Sequence, residues 1–154
     1  MFDYDERRRL THQKGAEGSL FEAVGGRDTL DRVHKVFYDE VYAHPWLGKF
    51  FAHRDQRALE DQQSDFMSGN FGGPKVYGGR NPERAHEHMF VSQELFDLRH
   101  KMLSDAIIAC GVAEEQRLKW LKIDAAFAPK IVKDSAADCV KRFATDDILA
   151  FPKP

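Results

Sequence analysis

The sequence predicts an all-α protein of one domain, and two kinds of observation carry that prediction. Apolar residues recur at spacings of three and four, in Leu30, Val33, Phe37 and Val41 and again in Trp120, Ile123, Phe127 and Ile131. That period lines one face of a helix. Helix punctuation brackets these runs. Ser19 and Ser92 stand where N-caps belong, and Gly25-Gly26, Gly72-Gly73-Pro74 and Gly111 stand where helices must end. At 154 residues with 42% hydrophobic content, the chain has the size of one domain with a substantial core.

Composition removes several classes of function. The 23 basic and 25 acidic residues are interspersed and leave a net charge of −2, so nucleic acid is not an implied partner. No apolar run approaches the ~20 residues of a membrane helix. Residues 1–10 are charged throughout, and no signal peptide is expected. Cys110 and Cys139 lie far apart and read as reduced thiols, so the expected location is the cytoplasm.

Taken in order, residues 1–18 carry Arg7-Arg8-Arg9 among acidic residues and read as a solvated helical arm. Ser19-Leu-Phe-Glu22 has the form of a capping box, with Glu22 reaching back to Ser19, and starts a short helix that Gly25-Gly26 stops. A longer helix follows over residues 27–43, with Tyr38 beside its buried stripe; a core tyrosine needs a partner for its hydroxyl. His44-Pro45 ends that helix, since the residue before proline avoids helical angles. Trp46, Leu47, Phe50 and Phe51 then form an apolar corner, and His53 sits in an exposed turn. The next helix spans residues 56–70 and puts Leu59, Gln63, Phe66 and Met67 on one face. A glutamine on such a face is costly unless its amide is satisfied.

Residues 71–89, Phe-Gly-Gly-Pro-Lys-Val-Tyr-Gly-Gly-Arg-Asn-Pro-Glu-Arg-Ala-His-Glu-His-Met, organise the chain. So much glycine costs chain entropy, and a backbone bending closely around a flat group is one reason for it. Pro82 opens a very short helix that delivers His86 and His88. These two cannot share a helix face, so one of them at most ligates a given metal. No cysteine or carboxylate cluster supplies a zinc cage. One axial histidine is what a haem iron requires, because the porphyrin brings four ligands. A lone histidine is no motif, however, and an ordinary hydrogen-bonded side chain stays open at this point.

Two long helices complete the prediction. Residues 92–110 start at the Ser92 cap, place Phe96, His100, Leu103, Ile107 and Cys110 at helical spacing and stop at Gly111, with His100 read as a satisfied structural histidine. The last helix starts near Ala113; Pro129 is expected to kink it by removing the bond to Ala125. Residues 134–143 are expected to prolong the helical region, and the tail to Pro154 carries no chemical motif.

Phe37-Tyr38, Phe50-Phe51, Leu59 with Gln63, Phe71-Gly-Gly-Pro-x-x-Tyr77 and Ala85-His86 fall in the order and spacing of the truncated haemoglobins. Over residues 19–131 the chain resembles a group I member. The resemblance implies a two-over-two α-helical sandwich around haem b, as residues 19–133, between an N-terminal extension, residues 1–18, and a C-terminal helical extension and tail, residues 134–154. It implies His86 as the iron ligand and Phe51, Leu59, Phe66, Tyr77, Arg80 and Met89 as cofactor contacts. Tyr38 and Gln63 become the hydrogen-bond donors to the bound gas. Related chains carry a propionate-pairing basic residue where this one has Gln62, so that task falls to Lys75, Tyr77, Arg80 or Arg84. Tyr38, His53 or, after a loop rearrangement, His88 are the alternatives for a sixth iron ligand.

The implied function is reversible binding of dioxygen, with nitric oxide and carbon monoxide as further ligands. Its use is oxygen transport or conversion of nitric oxide to nitrate, with an electron-donating reductase as partner and a monomer or weak homodimer as the assembly. A peroxidase-like enzyme would want a distal base, and Leu59 offers none. A gas sensor normally has an output domain, and none is visible. A helical bundle with incidental histidines is the reading without haem.

Overall fold

The computed structural model describes residues 3–154. Among them the α-helices are α1 (Tyr4–Thr11), α2 (Leu20–Val24), α3 (Gly26–Ala43), α4 (Gln56–Asn70), α5 (Pro82–His86), α6 (Gln93–Ala109), α7 (Glu114–Ala125) and α8 (Ala128–Ile131). Helix α3 packs against α4 and α6, and α6 packs against α7, which gives two layers of two. The predicted stripe of α3 is the centre of the core: Leu30, Val33, Phe37 and Val41 are all buried, facing Leu103, Ile107 and Trp120. Each such side chain contributes about 1.5–3 kcal/mol by leaving water.

The N-terminal arm departs from expectation. Residues 1–2 of it lie outside the described residues. Asp3 caps α1 through its carboxylate, which accepts from the backbone N–H groups of Asp5 and Glu6. Arg8 and Arg9 face water as predicted, but Arg7 does not. Its guanidinium donates to both oxygens of Asp65 at 2.9 and 2.8 Å, and Asp65 also accepts from Arg27 at 2.8 Å. Arg27 and Asp65 form a buried ion pair between α3 and α4, and the partly exposed Arg7 ties α1 to it. The capping box is also only half formed. Ser19 Oγ accepts from Glu22 N–H at 3.2 Å, but the Glu22 carboxylate turns to the Gly15 N–H instead.

Gly25 and Gly26 have φ of +106° and +72°, so α2 turns into α3 without a linker, in backbone that side chains rarely allow. Gly72 and Gly73 serve a similar local purpose. Gly72 has φ +86° and Gly73 N–H closes the end of α4 on Ser68 C=O at 2.8 Å. A Cβ at Gly72 would meet Ser19 at 2.8 Å, and one at Gly73 would meet the Phe21 ring at 2.4 Å. This glycine pair therefore lets the chain pass beside α2; it does not wrap a flat group.

The C-terminal third carries two further corrections. Pro129 breaks the last helix where a kink was expected: α7 stops at Ala125, and α8 is a separate turn with Pro129 in its first turn. Residues 134–143 do not extend a helix; their regular structure is one 3-10 turn, Ala136–Asp138. The chain instead runs back along the segment after α5. Val91 pairs with Val132 and Met89 with Leu149, each as an isolated parallel bridge. Trp46 Nε1 donates to Phe151 C=O at 2.8 Å, which anchors the tail on the apolar corner.

Behind the core lies a polar pair that the sequence did not flag. His34, almost fully buried, shares a 2.7 Å hydrogen bond with Ser64, linking α3 to α4. Burial, with Arg27 and Arg99 nearby, pushes its pKa down to about 3. The unfolded chain takes up this proton below pH ~6.5, whereas the folded chain does not until about 3. His34 thus adds stability that is whole above that upper value and is lost as pH falls toward the lower one. Urea unfolding should show a decline of up to about 1.4 kcal/mol per pH unit from this group across the window. His34→Gln should flatten it; an unaltered pH slope would show that His34 does not drive the acid sensitivity.

Candidate functional site

Helices α3, α4, α5 and α6, the 3-10 turn Leu47–Phe51 and the loop before α5 enclose a cavity of about 520 Å³. That volume lies in the usual range of small-molecule and cofactor sites. Its wall includes Tyr38, Phe51, Leu59, Gln62, Gln63, Phe66, Tyr77, Arg80, His86 and Met89. All nine expected site residues are thus brought together, from segments up to about 50 positions apart.

His86 closes α5. That helix has five residues, too few to be stable in isolation, and its surroundings hold it. Pro82 supplies a preset first turn, and Asn81 Oδ1 caps Arg84 N–H at 2.9 Å. His86 Nδ1 is 2.7 Å from Pro82 C=O, so the Nδ1–H tautomer is the one this geometry favours. Nε2 is then the lone-pair nitrogen, with no partner among the described residues. Burial lowers the ring's pKa to about 4, against the raising effect of the Pro82 bond, so the imidazole is neutral near pH 7. Neutral imidazole with one nitrogen fixed and the other free is the form that binds a metal.

The tail reinforces this segment, which its sequence did not suggest. Lys133 Nζ donates to the carbonyls of His86 at 2.8 Å and Met89 at 2.9 Å. Val140 N–H donates to Glu87 C=O at 2.7 Å, and Leu149 N–H to His88 C=O at 2.9 Å. Each carbonyl from His86 to Met89 is therefore held from the C-terminal side.

Tyr38 and Gln63 bring polar atoms into the cavity. The Tyr38 ring is clamped edge-on by Phe37, Tyr42 and Phe51, and burial raises its pKa to about 12, so the phenol keeps its proton. Neither the Tyr38 hydroxyl nor the Gln63 amide has a hydrogen-bond partner among the described residues. Leu59 and Phe66 add apolar wall, and Phe66 packs on Tyr77 and Phe127. Tyr77 donates its hydroxyl to Arg80 C=O, folding over Gly79, where a Cβ would strike its ring.

Several expectations fall outside the cavity wall. Of the four candidates for propionate pairing, Tyr77 and Arg80 line the cavity and Lys75 and Arg84 do not, while Arg54 and Arg142 join from other segments. His53 is exposed. His88 is buried away from the wall, its Nδ1 without a partner among the described residues. His100 is a structural histidine as expected, bonded to Asp124 at 2.8 Å.

Besides Arg54 and Arg142, sequence reasoning missed Arg99 and Asp124 in the wall, joined by two 2.9 Å hydrogen bonds. A signal existed. Arg99 is three after Phe96 and four before Leu103, and Asp124 is four after Trp120 and three before Phe127. Opposite charges thus stand on the apolar faces of two neighbouring helices, where each requires the other.

A family model described as bacterial-like globin matches residues 19–133. The chain is 30% identical to the group 1 truncated hemoglobin GlbN of Mycolicibacterium paratuberculosis over 124 residues, 80% of this chain and 91% of that one. It is 29% identical to the group 1 truncated hemoglobin of Tetrahymena pyriformis over 96 residues, 62% of this chain and 79% of that one. The crystal structure of the Tetrahymena pyriformis protein in its Fe(III) form superposes with a TM-score of 0.71 at 25% identity, covering 75% of this chain and 99% of that chain. The hemoglobin of Chloroflexus aurantiacus gives 0.69 at 25% identity, covering 76% and 99%.

Proposed function

The chain belongs to the bacterial-like globin family as a truncated haemoglobin of group 1 type, a haem globin that binds gases, and on that premise we propose that His86 holds the iron of a haem b while Tyr38 and Gln63 hydrogen-bond a dioxygen ligand. The observation that carries this reading is the set of unpaired groups in one cavity: His86 Nε2, the Tyr38 hydroxyl and the Gln63 amide, within a wall that is otherwise largely apolar. Polar groups that face a cavity without a protein partner are open to a ligand that can hydrogen-bond them.

The residues fit the cofactor. Phe51, Leu59, Phe66 and Met89 offer apolar contact to a porphyrin, and Arg54, Arg80 and Arg142 offer positive charge to its carboxylates. When bound, the haem supplies an iron centre able to take dioxygen, nitric oxide or carbon monoxide. The chain's part is to orient and discriminate. Pro82 C=O fixes the His86 tautomer, and the strap from Lys133 onward holds its backbone. Tyr38 and Gln63 donate toward negative charge on a dioxygen ligand, and donors fixed in a low-dielectric site act more strongly than in water. Carbon monoxide, which gathers less charge, gains less from them. Oxygen handling or nitric oxide oxidation to nitrate, served by an electron-donating reductase in the cytoplasm, is the role we infer.

Absorption spectra of the ferric, ferrous and oxygenated protein test the reading; a purified protein that takes up no haem ends it. Tyr38→Phe should speed dioxygen dissociation roughly 10- to 100-fold, the range for one hydrogen bond to a charged acceptor. An unchanged rate would mean that the phenol does not reach the ligand.

A further inference from the structure

We propose that Arg99 makes this cavity select small inorganic anions, of the class of azide, fluoride and nitrite, over neutral ligands of similar size. The inference rests on the haem reading and adds a ligand class to it. Arg99 lies on the core-facing side of α6 yet keeps 26% of its side-chain surface, and it lines the cavity. Its guanidinium stands 5.5 Å from the Phe37 ring centre and 5.7 Å from that of Phe96, so apolar contact holds it in place.

Asp124 does not use up this group. The carboxylate takes one N–H from each terminal nitrogen of Arg99, and Oδ2 also accepts from His100 Nδ1. A guanidinium has five N–H donors, and the remaining ones have no acceptor among the described residues. Asp124 is 3% exposed, so it and His100 act as a buried brace that aims Arg99. An anion in the cavity meets a positively charged, preorganised donor set in a low-dielectric wall. A neutral ligand meets the same donors but gains little Coulomb energy.

The test is equilibrium titration of the ferric haem protein with azide and with fluoride, and of the ferrous protein with carbon monoxide, by absorption spectroscopy. The double variant Arg99→Gln/Asp124→Asn keeps amides facing each other and removes both charges. It should bind azide and fluoride at least tenfold more weakly while its carbon monoxide affinity moves far less. Arg99→Lys keeps the charge and should retain most of the anion affinity; it also serves if the double variant does not fold. Anion affinities at wild-type level in the double variant overturn the proposal, as does a parallel fall for carbon monoxide. Weakened haem retention with azide binding kept would assign Arg99 to the haem's own carboxylates, and also overturns it. A wild-type protein that takes haem yet fails these comparisons leaves the haem reading standing.

Discussion

Replacing His86 by alanine is expected to abolish stable haem uptake and the ferrous absorption spectrum, because it removes the imidazole nitrogen that would hold the iron. Among the described residues no other histidine lines the cavity. His53 is exposed, and His88 is buried with its backbone fastened to Leu149. The Tyr38 phenol, held protonated by burial, is a poor replacement at neutral pH. The fold should survive, since the side chain's polar contact is the bond to Pro82 C=O within a five-residue helix. Circular dichroism at wild-type helicity, together with recovery of a haem spectrum on adding free imidazole, would show that the loss is one of ligation. An alanine variant that keeps a wild-type ferrous spectrum would end the assignment of His86.

The second large effect is on stability. Asp65→Ala should lower the unfolding free energy by about 3 kcal/mol, the lower end of the range for stranding a buried charge. The Asp65 carboxylate takes three guanidinium hydrogen bonds, two from Arg7 and one from Arg27. Without it Arg27, whose side chain is 3% exposed, keeps only the partly exposed Asp31 carboxylate and a long contact to Asp61 C=O. Helix α1 also loses the tether that joins it to α4 and should become sensitive to limited proteolysis. Urea unfolding measures the first effect and proteolysis the second. A loss below about 0.5 kcal/mol, the level of an ordinary surface substitution, would mean that the network is dispensable.

How much of this was legible beforehand depends on the range of the interaction. Helix α4 is bounded as expected at Gln56 and Asn70, and α3 begins one residue early, because caps, glycines and apolar period act within a few residues. Glu22 illustrates the limit even at short range: it prefers Gly15 N–H to its own cap, and that choice depends on how residues 15–18 fold back. The gathered wall of Tyr38, Leu59, Gln63 and His86 was anticipated from a resemblance, and no local rule would have joined those positions. Arg99 and Asp124 were open to detection as charges on apolar faces, but reading them required pairing two helices in space.

The sequence by itself determined helices α2 to α6, where they end and the residue types available for the site, since those follow from backbone propensity, capping and periodic burial. Tertiary structure alone decided which carboxylate neutralises which guanidinium, that the tail from Lys133 to Phe151 braces the His86 segment, and that Arg54 and Arg142 join Arg80 in the cavity wall. The reason is physical. Desolvated ion pairs and backbone hydrogen bonds between distant segments draw their strength from the low-dielectric environment that the packed helices create, so they have no local signature until that packing exists.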